Sequence, residues 1–271
     1  MSGIVRGRIL ASVIFFIIIA LILYPVSIPF PVSKYTKQYF EFVQSMPEGS
    51  VVGFMVGDMP HTRPQLQSST VLTMVELWEK GSKIVFWTDQ ALSDPILVDY
   101  IALAQTNLKR GLEYGVDYVN LGYIPGGEIG QAAFLKNIRF VMGGVDTFGN
   151  DLDDLPIMMG VNGGADMRYG FANTACESTE PIYIRQWQLP YGAEIATINC
   201  ARDLPTITIY LATGQLKGVA NGLLGSAEME RLTGNLGTAN RQIMAVSFMG
   251  LYLTLLIVLG NVPFLIRRLF K

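Results

Sequence analysis

Two long apolar runs bracket a segment in which short apolar bursts alternate with longer mixed stretches. The first run, Ile9 to Leu23, carries no charge and stays apolar to Val26 apart from Ser12. The second, Ile243 to Ile266, is uncharged over 24 residues, enough to cross a bilayer as a helix. Arg6 and Arg8 precede the first run, and Arg267, Arg268 and Lys271 follow the second. Cations on both outer flanks predict that both termini are cytoplasmic and that the middle of the chain lies outside. The expected layout is a tail (1–8), a span (9–26), a second span (242–266) and a tail (267–271) in the cell membrane. No small-x-small cleavage pattern follows the first run, which favours an anchor over a cleaved signal peptide.

Between the spans, Pro25 to Lys34 holds three prolines and reads as a stiff extended spacer. Tyr35, Tyr39, Phe42, Val43 and Met46 then fall at helical spacing. Residues 27–46 are thus a spacer plus a short juxtamembrane helix, and 47–241 an outer domain. Val51 to Asp58 reads as a buried strand, Gln65 to Lys80 as a helix stopped by Gly81, and Lys83 to Asp89 as a second strand. Asp94 and Pro95 start a helix that runs to about Glu113. Asp117 to Tyr123 is a third strand and Gly130 to Asn137 a short helix. Ile138 to Gly144 is either a strand or that helix's continuation. Pro156 to Asn162, Pro181 to Leu189, EIATINC and TITIYLAT read as further strands, and Gly218 to Leu232 as a closing helix.

Near-continuous apolar strands alternating with helices predict a mostly parallel sheet covered on both faces. The fold class is therefore α/β: a Rossmann-like three-layer domain flanked by N- and C-terminal transmembrane helices. Ligands in such folds bind beyond the carboxyl ends of the strands. The glycine fingerprints of dinucleotide and P-loop sites are absent, so no cofactor is expected. Two Gly-Gly-acidic turns stand out instead: Gly126, Gly127 and Glu128, and Gly163, Gly164 and Asp166. Facing each other across a cleft, with Asp58, His61 and Asp89 on the same rim, they would form a ligand site. The strand–PGG–helix order is similar, over this short stretch alone, to the oxyanion-hole turn of Clp-like serine proteases. That chemistry needs a nearby serine, and none stands between Gly127 and Ala175. No catalytic residue is assigned.

The chain has one histidine and two cysteines, Cys176 and Cys200, which excludes a histidine-based zinc site within one chain; no metal site is expected. Outside the cytoplasm the two cysteines are expected to form a disulfide. Taking the five terminal cations from 20 Lys and Arg leaves 15 against 22 carboxylates, about seven net negative charges on the outer segment. Such a surface repels nucleic acid. Ala245, Ser247 and Gly250 in the second span would let another helix approach closely. The leading expectation is a two-pass, non-catalytic binding or assembly subunit of a membrane complex, through other membrane subunits or self-association. The alternative is a small-ligand sensor or hydrolase-like enzyme using the strand-end turns.

Overall fold

The computed structural model describes residues 12–17, 19–20, 30–175 and 179–269. The chain divides into two compact units, Met1–Pro31 with Gly237–Lys271, and Val32–Leu236. The second unit is a three-layer α/β domain. Its six strands are β1 (Val51–Gly57), β2 (Lys83–Thr88), β3 (Tyr118–Tyr123), β4 (Tyr169–Thr174), β5 (Glu194–Asn199) and β6 (Leu216–Asn221). All neighbours are parallel, in the order β3-β2-β1-β4-β5-β6. This order reverses direction between β1 and β4, the position where Rossmann-like sheets open a crevice for ligands.

Side-chain alternation sorts the core into two layers. Val52, Phe54 and Val56 of β1, with Ile84 and Phe86 of β2, point to one face. That face is covered by α1 (Lys34–Ser45), α2 (Arg63–Glu79), α3 (Ser93–Asn107) and α8 (Gly222–Leu232). Met55, Val85 and Trp87 point to the other face. There lie α4 (Gly127–Lys136), α5 (Ile138–Met142), α6 (Thr179–Tyr183) and α7 (Leu204–Ala212). Both faces being buried explains why the strands read as unbroken apolar runs.

The juxtamembrane helix α1 belongs to the domain. Ser33 caps it, accepting from the Thr36 amide, and donates through its own amide and hydroxyl to Glu228 of α8, both at 2.8 Å. Gly218 of β6 carries no side chain because the backbone at Gln38–Tyr39 lies against it. We expect Gly218→Val to lift α1 off the sheet, speeding hydrogen exchange across Lys34–Ser45 while β1 and β2 stay protected. Unchanged protection of α1 would contradict that packing.

In the first unit, α9 (Thr238–Leu269) contains the stretch Thr238–Val258. By length and composition it can cross a membrane: its mean hydropathy is 1.7 and only 6% of it is buried. It is the one such stretch among the described residues; the expected first span, 9–26, falls mainly outside them.

Several expected elements differ. Pro156–Met158 is one turn of 3-10 helix, not a strand. Pro181 to Leu189 is helical, running from α6 into a π-helical turn, Ile184–Gln188, and a last turn, Leu189–Tyr191. TITIYLAT forms most of α7, and Ile138–Met142 is helical. The fourth strand is instead Tyr169–Thr174, and the sixth lies at the start of the expected closing helix. Tertiary packing decided each case. Tyr183, Ile184 and Trp187 occupy one helical face in the core, whereas a strand would have turned Ile184 outward.

Candidate functional site

The carboxyl ends of the central strands form one polar row. Register pairs Gly57 of β1 with Thr174 of β4, Thr174 with Asn199 of β5, and Asn199 with Asn221 of β6. Thr88 and Asp89 close β2 beside it. Gly57 has no side chain because the Asp89 carboxylate and the Asn173 carbonyl occupy that space.

Asp58 follows β1 and is fully buried. Its carboxylate accepts from the Met59 amide at 2.7 Å, from the Thr62 hydroxyl at 2.6 Å and from the Tyr100 hydroxyl. Burial raises its pKa above the ordinary carboxylate range, against the pull of these bonds and Arg63. Asp58 therefore sits where the turn enters α2, the place a phosphate takes in dinucleotide-binding folds. Two anions do not share that place.

Asp89 has less support, its own backbone amide being the one group that favours its charge. Its Oδ1 is inaccessible to solvent and has no partner among the described residues. Burial first, and then the negative charge of Glu180, push its carboxyl up to about 6. Glu180 is itself buried and raised by burial, and it accepts from the Thr174 hydroxyl at 2.6 Å. Asn199 lies close enough to help hold the Glu180 charge, yet neither polar atom of its side chain makes a hydrogen bond of normal geometry. We read Asn199 as unsatisfied, because hydrogen bonds weaken steeply away from good geometry. Asn221 Oδ1 is likewise buried without a partner among the described residues, whereas Asn173 faces the other layer and donates to the Thr70 hydroxyl at 2.6 Å.

Beside this row, between the start of α2 and the loop after β5, lies a recess of about 290 Å³ lined by His61, Thr62, Gln65, Cys200, Ala201 and Arg202. His61 is exposed at its mouth. The expected Cys176–Cys200 disulfide is not found: Cys200 is a free, buried thiol, and Cys176 lies outside the described residues. Burial and the nearby Asp203 and Asp58 push the Cys200 thiol up to about 11, which keeps it protonated and a poor nucleophile at neutral pH. Among the described residues no group of three or more His, Cys, Asp or Glu is arranged to hold a metal ion.

Of the residues singled out in the sequence, Asp58, His61 and Asp89 gather at this end of the sheet. The two Gly-Gly-acidic turns do not face each other. Gly126 and Gly127, both at positive φ, open α4 after β3. Gly163 packs against the other end of the same helix: a Cβ there would lie 2.6 Å from the Leu135 carbonyl. A ten-residue helix separates the turns by about 15 Å. Each acid is also engaged. Glu128 receives two hydrogen bonds from Arg185, at 2.9 and 2.7 Å, and one from Gln186 at 2.9 Å, which pull its carboxyl down to about 2. Asp166 closes its own turn, accepting from the Asn162 and Gly163 amides, while the Gly164 carbonyl accepts from Trp187 Nε1 at 3.0 Å.

The row Thr174, Asn199 and Asn221, with Glu180 behind it, was not singled out in the sequence. A signal was present: the runs YGFANT, EIATIN and LKGVAN each end an apolar stretch on a small polar residue.

The chain matches no protein-family model and no curated protein. Among solved structures it is similar, at 13% identity and a TM-score of 0.28, to the one described as "Crystal Structure Analysis of the Glycotransferase of kitacinnamycin". The match covers 72% of this chain and 42% of that one, so this chain spans less than half of that protein's length. A TM-score of that size establishes no shared fold, and glycosyl transfer remains a property of that protein.

Proposed function

We propose that this protein is a membrane-anchored binding protein whose Rossmann-like domain holds a small, phosphate-free ligand at the carboxyl ends of β1, β2, β4 and β5. The observation that carries the reading is Asn199: fully buried, one strand from the reversal point of the sheet, with both polar atoms unpartnered among the described residues. A buried amide without partners costs about 1–3 kcal/mol, and sites that bind polar ligands accept that cost before the ligand arrives. Glu180 links Asn199 to Asp89, since it lies beside the amide and its charge acts on the carboxyl.

The unpartnered atoms on this face are mostly acceptors: Asp89 Oδ1 and the Oδ1 atoms of Asn199 and Asn221. A ligand that satisfies them must donate hydrogen bonds, through hydroxyl or amino groups. Phosphate is disfavoured by Asp58 at the start of α2 and by the acidic balance of the domain. The protonated Cys200 thiol supports binding or sensing over covalent catalysis. No observation favours a role in assembly alone, although the open space around Gly250 in α9 leaves room for a neighbouring helix. The anchoring we propose is two-pass in the cell membrane, through 9–26 and 242–266, with both termini cytoplasmic, on the strength of the flanking cations.

A thermal-shift screen of the full chain in detergent tests this reading, with polyols, monosaccharides, nucleosides and small amines set against their phosphorylated counterparts. A bound ligand at a hundredfold excess over its Kd adds about 2.7 kcal/mol of stability. The shift is expected from unphosphorylated compounds, is lost in Asn199→Ala, and persists in Glu128→Ala, whose ion pair lies elsewhere. A screen without a single hit, or a hit that survives Asn199→Ala, would refute the site.

A further inference from the structure

Helix α7 is built unlike the other helices of the domain. Its sequence, LPTITIYLA, contains no charged residue, and of its nine residues only Ile207 is buried. Ile209 is 63% exposed, and Pro205, Thr206 and Ala212 are exposed beside it. Helices covering a soluble domain put charged or strongly polar residues outward. Here the outward face is apolar or hydroxylic.

The place of α7 says what covers that face. Thr208, Leu211 and Ala212 line a recess of about 190 Å³ together with Lys34, Tyr35 and Gln38 from the first turns of α1. The end of α7 thus meets the start of α1, seven residues after the first apolar run ends at Val26. Even fully extended, seven residues reach only about 25 Å. The second connection follows α8, whose Glu228 is bonded to Ser33 four residues before the helix ends; after five more residues the apolar helix α9 begins. Both chain connections to apolar segments therefore follow elements tied to the start of α1, which meets the C-terminal end of α7. Lys34, whose ammonium lies 4.9 Å from the Tyr35 ring centre, and Tyr210 supply the amphipathic residues typical of a membrane–water boundary.

We infer that α7 lies in the headgroup region of the bilayer as an interfacial helix, with Ile209 toward the acyl chains, and seats the domain against the membrane. This rests on the membrane reading of both apolar runs but not on the ligand site. The exposed apolar face of α7 gains by burial at a bilayer surface, and a charge turned toward the acyl chains would lose hydration.

The test uses the full chain in liposomes, with an environment-sensitive fluorophore attached at one introduced cysteine: Ile209→Cys on α7, Phe140→Cys on α5 (82% exposed), or Leu251→Cys on α9 (66% exposed). The parent chain, labelled in parallel, gives the background from Cys176 and Cys200. Lipids carrying a nitroxide near the headgroup are the quencher. The Ile209 label is expected to lose most of its emission, the Leu251 label to be quenched as well, and the Phe140 label to be unaffected. An unquenched Ile209 label beside a quenched Leu251 label would overturn the inference and leave the anchor standing. An Ile209 label shielded from both nitroxide lipid and aqueous iodide would overturn it in favour of a protein partner. Loss of quenching at Leu251 too would overturn it together with the anchor.

Discussion

Replacing Asp89 with asparagine raises the stability of the domain at neutral pH and leaves it nearly unchanged at about pH 4. The sign follows from the carboxyl's two states. In the unfolded chain it ionises near 3.8, and in the folded domain burial holds it protonated until about 6. The folded state thus binds the proton more tightly, and stability falls as pH rises from about 4 to about 6. Above that the cost is complete, on the order of 3 kcal/mol from the size of the shift. Below the unfolded value there is no cost. Asparagine keeps the shape and removes the charge, so the melting temperature of Asp89→Asn should exceed that of the parent by several degrees at pH 7.5 and match it at pH 4. The same variant should lose ligand-induced stabilisation, because the charged acceptor is gone. A residue that weakens the fold while serving a site is the usual trade between stability and activity. Equal melting temperatures for parent and variant across the pH range would show that Asp89 is not held in this strained state.

Trp187→Ala is expected to cost about 3–5 kcal/mol, the range for removing a fully buried Trp. Trp187 stands on the π-helical turn and fills a trough made by two strand glycines. A Cβ on Gly53 would lie 2.5 Å from its ring, and one on Gly170 closer still. The ring also meets Trp87 edge-on at 5.5 Å, and its Nε1 donates to the Gly164 carbonyl. Alanine would open a cavity over β1 and β4 that those glycines cannot fill. For a domain of this size the drop corresponds to about 10–15 °C in Tm. It should be a stability effect alone, with ligand affinity at low temperature retained, since Trp187 lies toward the opposite end of β1 and β4 from the polar row. A drop of only a degree or two would mean that the packing around Gly53 and Gly170 is looser than described.

The fold class was legible because β1, β2 and β3 are apolar runs separated by helices of ordinary length, the pattern a parallel sheet imposes. The second half of the domain was less legible. IYIRQW and TITIY are rich in β-branched and aromatic residues, and local propensity favours strands there. Their helical state comes from distant groups: Trp187 is held by glycines of β1 and β4, and α7 returns the chain from β5 to β6. Gly163 misled for a similar reason. Its side chain is absent because the end of α4 packs on it, not because it faces a ligand. Asp58 and Asp89 could be read from the sequence because each ends a clear strand. Asn199 also ends an apolar run, but its meaning depends on Thr174 and Asn221 standing beside it in register.

The most direct measurement is a structure of the full chain with a ligand from the stabilisation screen. The account predicts ligand density at the carboxyl ends of β1 and β5, with donor groups within hydrogen-bonding distance of Asp89 Oδ1 and the Asn199 side chain. Density at the Gly126–Glu128 turn instead, with the Asn199 amide still unpartnered, would contradict it.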